Sequence, residues 1–395
     1  MHASKPLLVG RVAALCAAVA ACRSGAPPVG SVERAAQCLY VDEGPGADGT
    51  VPIRVETVVT GLEVPWGIAF LPGGDMLVTE RPGRVRLVRG GQLVPEPVAR
   101  VPAAADGEGG LMGIALHPDF AANRFFFVYY TARRGDGTVN RLARYRLAPD
   151  NASAEAERVL LDGVPAAQNH DGGRLRIGPD GMLYVGTGDA GEPDRSQDPR
   201  SLAGKVLRLT PEGQIPADNP TPGSARFLSG VRNVEAFDWL DRDTLVLADH
   251  GPSGERLLRG HDEVSVVRAG DNLGWPTIWG CRAHGRLVSA ALSWSEAVPP
   301  GGAAIYTGTA IPEWRGDLLV GTLGSRHLHR VAFDPQRPGR VLRHEVYLRG
   351  EAPSGHGRLR EVVMGPDGHL YMTTSNCDGR GTCPPDRDRV LRITR

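Results

Sequence analysis

Apolar residues along this chain alternate with polar ones instead of recurring at every third and fourth position, and the alternation comes in bursts that each follow a polar turn. "FLPGGDMLVTE", "PDFAANRFFFVYYT", "GPDGMLYVGTGD", "LDRDTLVLADHG" and "GPDGHLYMTTSN" share this form. Each has a turn, often Asp-Gly or Gly-Gly, and then a strand with one apolar face. "WRGDLLVGTLG" lacks the Pro-Asp-Gly turn but ends in the same kind of strand. Each unit leads into a second strand with basic residues: "GRVRLVRGG", "RLARYRLAPD", "GKVLRLTPEG", "DEVSVVRAGD", "HLHRVAFDP" and "RVLRITR". The units recur at roughly 50 to 75 residues, as propeller blades with loops of unequal length do. Six of them predict an all-β chain folded as a six-bladed β-propeller. A β-sandwich with chance repetition is the competing fold. Sustained helical spacing is thin, so residues 37–395 read as one propeller domain.

The N-terminus follows another pattern. "MHASKPLLVGRVAALCAAVAAC" puts Lys5 and Arg11 around a small apolar run, the outline of an export signal and too short for a stable membrane span. Val19-Ala20-Ala21-Cys22 has the form of a bacterial lipobox, whose cysteine is lipidated after cleavage; ordinary cleavage near Ala21 is the alternative. Residues 1–22 are thus expected to be a signal peptide with a lipobox, and 23–36 a flexible Gly/Pro/Ser tether. The domain is expected outside the cytoplasm, periplasmic or at the cell surface, touching the membrane only through a lipid at Cys22.

Composition narrows the class. The 395 residues carry 45 basic and 45 acidic side chains, which argues against a nucleic-acid partner. The 52 glycines and 32 prolines suit many short strands joined by turns. Export would place Cys38, Cys281, Cys377 and Cys383 in an oxidising compartment. Four cysteines allow three pairings; a local bridge in "NCDGRGTC" with a Cys38–Cys281 staple is the preferred one. The spacing does not suit paired zinc ligands.

Loops at one face of a propeller converge on its axis, so polar loop residues are the candidates for chemistry. "ADGEGGLMGIALHPDF" holds Glu108, "QNHDGGRL" holds His170, "SGVRNVEAFDW" holds Arg232 and Asn233, and "HGRLREVVMGPDG" holds Arg358 and Arg360. Arginine forks grip carboxylates, and histidine exchanges a proton near neutrality. Together they suit a carboxylate-rich ligand beside a proton-transfer centre. Gly251-Pro252 followed by Asp262-Glu263 offers hard oxygen ligands of the kind calcium takes. Bland readings compete with each of these. His170 could be a hydrogen-bonded structural residue, Arg232 could pair with Asp238, and Trp66, Trp239, Trp275 and Trp294 read as blade packing.

From "GLEVPWGIAFLPGGDMLVTERPGRV" to the C-terminus the chain resembles the soluble pyrroloquinoline-quinone-dependent sugar dehydrogenases of the glucose/sorbosone dehydrogenase family, closest to the aldose branch. "GEGGLMGIALHPDFAANRFFFVYYT", "NHDGGRLRIGPDGMLYVGTGD", "GVRN", "GDNLGWP" and "GRLREVVMGPDGHLYMTTSN" carry the resemblance in order. It implies a six-bladed propeller holding pyrroloquinoline quinone (PQQ) and calcium. It implies oxidation of aldose sugars at the anomeric carbon to lactones, with hydride passing to the quinone. His170 then matches the general base, with Asp171 or Asn169 to orient its ring. Arg232 matches the charge-stabilising arginine and Asn233 a cofactor contact. Arg358 and Arg360 match the arginines that bind quinone carboxylates. Glu108 also lies at the cofactor side. Gly251 and Pro252 match the carbonyls on the cofactor's calcium, and Glu263 is a candidate ligand of a second calcium.

The chain departs from the family pattern at three places. Glu108 stands where a glutamine is expected. Gly324 and Ser325 occupy the region of a cofactor-binding lysine. Ser375-Asn376 replaces an acidic residue in the last blade. A non-enzymatic extracellular ligand-binding propeller is the alternative function. A calcium-dependent lactone hydrolase would need an axial cage of acidic and amide side chains that the sequence does not offer. No haem-attachment CxxCH is present, so an external electron acceptor is expected.

Overall fold

The computed structural model describes residues 1–2 and 36–395 and is a six-bladed β-propeller. The expectations for the signal segment, Cys22 and the tether fall on residues outside the described ones. Each alternating run forms the second strand of a blade: Met76–Glu80, Phe125–Arg134, Leu183–Gly186, Leu245–Asp249, Leu318–Thr322 and Leu370–Thr374. The basic runs form the third strands: Arg84–Arg89, Gly137–Leu147, Lys205–Leu209, Glu263–Val267, Leu328–Asp334 and Asp388–Thr394. Beyond residue 40 the helical pieces are single turns such as Phe120–Asn123.

The innermost strands are Pro65–Phe70, Leu111–Leu116, Leu175–Ile177, Val234–Trp239, Pro300–Ile305 and Leu359–Met364. They lie around the axis, where neighbouring backbones come close, and glycine is used at the tightest approaches. A Cβ on Gly113 would sit 2.1 Å from the Gly173 carbonyl oxygen, and one on Gly302 would sit 2.4 Å from that of Arg360. Six apolar layers fill the gaps between adjacent blades. For example, Leu77, Val85 and Leu87 of the first blade pack on Phe126, Val128 and Tyr130 of the second. Both faces of the inner strands are thereby largely buried, while outer strands such as Ala154–Pro165 stay exposed; this is how a ring of twisted sheets holds itself together.

Two features close the structure. The last blade, built from Leu359–Met364, Leu370–Thr374 and Asp388–Thr394, takes its outer strand, Arg54–Leu62, from the beginning of the domain. Leu39–Val41 adds in parallel to Leu292–Trp294 at the outer edge of the fourth blade, and Cys38 is bonded to Cys281 beside it. Cys377 is bonded to Cys383, so the preferred pairing is the one present.

Candidate active site

The histidine loop joins the second blade to the third. His170 adopts φ 62° and is buried, so its ring is held inward. Its Nδ1 donates to Asp189 Oδ1 at 2.7 Å. Asp189 ends the run "LYVGTGD" and is fully buried. It also accepts the Gly191 N–H and the Trp275 Nε1–H, both at 2.9 Å. A carboxylate facing Nδ1 fixes the proton there and leaves Nε2 with its lone pair free to accept. The expectation that Asp171 or Asn169 orients the ring is therefore corrected. Asp171 turns away, with one oxygen taken by the Asn140 amide at 2.9 Å and the Ala167 N–H at 3.2 Å. Burial pushes its carboxyl up to about 7.

Arg232 and Asn233 enter on the loop before the fourth blade. Asp249 accepts both their backbone N–H groups at 2.8 Å and so fixes the loop. A polar residue at or near the end of a second strand's apolar run plays this part elsewhere too. Glu80 accepts the Glu63 N–H, Thr131 the Gly110 N–H, and Asn376 the Arg358 N–H. The Arg232 side chain is only 2% exposed. Its Nη2 donates to Glu255 Oε1 at 2.6 Å and to Ser253 Oγ at 3.1 Å, while its Nε–H has no protein partner. Trp275 lies under the guanidinium at 5.8 Å. Asp238 is not its partner; that carboxylate accepts the N–H groups of Trp239 and Ile305. Glu255 Oε1 is also 3.8 Å from His170 Nε2.

Arg358 immediately precedes the inner strand of the last blade and Arg360 is its second residue. Arg358 Nε donates to Asp378 at 2.9 Å, and Arg360 Nη1 donates to Glu235 at 2.6 Å. Glu235 in turn accepts the Asn233 amide at 3.2 Å. Asp378 sits inside the ring closed by Cys377 and Cys383. Burial would raise its carboxyl, but Arg358 and Arg360 outweigh that and hold it below its ordinary range. Arg380, from the same small ring, pairs with Glu108 at 2.7 Å. The other Glu108 oxygen accepts the His170 N–H at 3.0 Å. Burial opposes the charge on Glu108, but that backbone bond and Arg380 prevail and take its carboxyl down to about 2.

These contacts form a circuit. It runs from Arg358 through Asp378, Arg360, Glu235, Asn233, Arg232, Glu255, His170 and Glu108 to Arg380 and back to the disulfide ring. One imidazole and three guanidinium groups, far apart in the chain, thus share a single mouth, with Glu108 and Asn233 between them. An ionic knot lies on the same axis. Arg174 bonds to Glu361 and to the carbonyls of Glu235 and Gly301, and Arg176 bonds to Glu361 at 2.9 Å.

The calcium candidates divide. Gly251 and Pro252 are buried, and the Gly251 N–H donates to Asp262 at 2.9 Å. Gly251 is pressed against Gly260, whose carbonyl oxygen a Cβ would meet at 2.1 Å. Glu263 lies in the third strand of the fourth blade, where it accepts the Gly280 N–H at 2.6 Å. Burial, with Asp249 beside it, pushes its carboxyl up to about 8, which leaves it largely protonated at neutral pH. Among the described residues, no cluster of three or more His, Cys, Asp or Glu side chains has the arrangement to hold a metal ion.

Residues 62–383 match the family described as glucose/sorbosone dehydrogenase. The chain is 32% identical to aldose sugar dehydrogenase YliI of Escherichia coli, over 83% of this chain and 91% of that protein. A Thermus thermophilus structure described as an oxidoreductase of the glucose dehydrogenase kind superposes with TM-score 0.79, at 44% identity, over 87% of this chain and all of that one. The PQQ-bound aldose sugar dehydrogenase of Streptomyces coelicolor superposes with TM-score 0.77, at 33% identity, over 87% of this chain and 99% of that one.

Proposed function

Because the chain belongs to the glucose/sorbosone dehydrogenase family, we propose that it is a quinoprotein that oxidises aldose sugars at the anomeric carbon, using PQQ and calcium. The observation that carries this reading is the pairing of His170 Nδ1 with Asp189, with Arg232 close by. It supplies a base with a defined free nitrogen next to a buried cation.

The residues suit a cofactor with several carboxylates. Arg232 keeps a buried Nε–H without a protein acceptor, and Arg358 and Arg360 present further guanidinium forks. Carbonyls of Gly251 and Pro252 are the hard oxygens a calcium ion would take. PQQ, when bound, supplies the two-electron acceptor, and calcium the Lewis acid that polarises it. The chain's own part is to position and to move a proton. His170 Nε2 takes the proton of the anomeric hydroxyl, and Asp189 stabilises the imidazolium that results. Arg232 places fixed positive charge where negative charge develops. Asn233, Arg358 and Arg360 orient the cofactor, and Glu108 holds the backbone of the histidine loop from the cofactor side. The product is a lactone, and electrons leave to an external acceptor. The two disulfides support export to an oxidising compartment, where Cys22 would carry the lipid anchor.

The test is reconstitution. Purified protein given PQQ, calcium and glucose is expected to reduce a redox dye and to act on several aldoses. His170→Ala should abolish turnover and Arg232→Ala should greatly reduce it. Wild-type protein that neither reduces dye nor changes the cofactor's absorbance would instead be a ligand-binding propeller.

A further inference from the structure

Glu255 occupies a position at this mouth that a ligand oxygen would also want. Its Oε1 reaches both Arg232 Nη2, at 2.6 Å, and the neighbourhood of His170 Nε2, at 3.8 Å. Its Oε2 accepts the Ser253 N–H at 2.6 Å, so the carboxylate is aimed and does not dangle. Yet the segment that delivers it is peripheral. Glu255–Leu257 is one 3-10 turn entered through Gly254 at φ 137°. Ser253, Gly254 and Leu257 are exposed, and Leu257, at φ 64°, is 98% exposed. A leucine held in solvent on a left-handed backbone contributes no packing to keep the segment down. The bonds from Arg232 to Glu255 and Ser253 tie this segment to the buried mouth.

An oxygen that accepts from Arg232 Nη2 while its neighbour donates to His170 Nε2 competes for the place Glu255 Oε1 occupies. We propose that Glu255 is a resident carboxylate plug, which holds Arg232 and shields His170 in the unloaded protein and swings out with segment 253–258 when ligand enters. The plug rests on the reading of this mouth as the cofactor and sugar site. It gives the site two states. In the closed state the guanidinium is neutralised and a carboxylate blocks the base. In the open state both groups are free. A ligand must first separate the ion pair, so its apparent affinity is lowered by the small fraction of open protein.

The test compares wild type, Glu255→Gln and Glu255→Asp as full-length protein freed of cofactor. PQQ with calcium is titrated by absorbance, and backbone hydrogen exchange is followed in segment 253–258. Glu255→Gln should bind on the order of tenfold more tightly, which corresponds to about 1.4 kcal/mol. Glu255→Asp keeps the charge and should stay near wild type. Loading wild type should speed exchange in 253–258 while it slows exchange at Arg232 and Asn233, opposite signs that a merely structural glutamate would not produce. Equal or weaker binding by Glu255→Gln, or slower exchange in 253–258 on loading, overturns the plug. Wild type that binds no PQQ sinks the cofactor reading instead. In that case exchange without cofactor still decides: 253–258 must exchange faster in Glu255→Gln than in wild type, and no difference refutes the contact's closing role.

Discussion

Asp189→Asn isolates the one interaction on which the proposed acid–base role of His170 depends. The native carboxylate accepts from three donors: His170 Nδ1 at 2.7 Å, and Gly191 N–H and Trp275 Nε1–H at 2.9 Å each. Asparagine fills the same volume but keeps one acceptor oxygen, whereas the carboxylate gives Oδ1 to His170 and Gly191 and Oδ2 to Trp275; an oxygen kept on Trp275 turns the amide toward Nδ1 and the Gly191 N–H. Its amide NH2 then faces Nδ1. The imidazole answers by moving its proton to Nε2, so the nitrogen that must accept from the sugar becomes a donor. The analogous change in a serine-protease triad lowers turnover by roughly 10⁴-fold. A fall in kcat of roughly 10²- to 10⁴-fold is expected here, about 3–5 kcal/mol at about 1.4 kcal/mol per decade. KM should move little, because Asp189 is fully buried and meets the imidazole at Nδ1, away from Nε2. Asp189→Ala would strip three buried donors of their acceptor at about 1–3 kcal/mol each and should unfold much more readily, which is why asparagine is the informative change. The assay is steady-state dye reduction by the reconstituted protein, with urea unfolding to confirm the fold. A folded, cofactor-loaded Asp189→Asn protein that keeps kcat within about threefold of wild type would refute the tautomer argument.

Two further outcomes follow from the same geometry. The Glu108 carboxyl falls from its ordinary 4.5 to about 2 in the folded protein, so its contribution to stability is fully present above pH 4.5 and is lost as pH falls through about 2. That contribution is at most about 3 kcal/mol; the gap in unfolding free energy between wild type and Glu108→Gln should be widest near neutrality and close on acidification, and a gap independent of pH would contradict it. The disulfides should separate by role. Cys38–Cys281 spans 243 residues and Cys377–Cys383 spans 6, so Cys38→Ser should cost about 5 kcal/mol and Cys377→Ser about 2. Urea midpoints should rank that way, while PQQ titration should show the greater loss for Cys377→Ser, because its ring holds Asp378 on Arg358 and Arg360.

Much of the ring was legible in the chain because second and third strands alternate apolar and polar residues between turn signals. The innermost strands were not. "PWGIAF" and "PGGAAI" are buried almost throughout and use glycine for close approach, so no alternation marks them. The closing strand Arg54–Leu62 was also invisible, since its partner lies more than 300 residues away. Among the site residues, the glycine-rich loops exposed His170, Arg232, Arg358 and Arg360. The signal for Asp189 was a polar residue closing an apolar run: Glu80, Asp189, Asp249 and Asn376 each follow or end a second strand, Thr131 closes the apolar part of a longer one, and each tethers an adjoining loop. A polar residue repeated at the tip of an apolar run is a clasp, and it could have been sought as one. Glu255 had no such signal, because its role depends on how an irregular loop folds back.

The blade that carries Arg358 and Arg360 is also the one that borrows its outer strand from the start of the domain. That blade cannot assemble until both ends of the domain are present. Any molecule gripping its inner strand from within the ring also fastens the seam. A chain that has lost either end therefore opens the blade on which those two arginines are held.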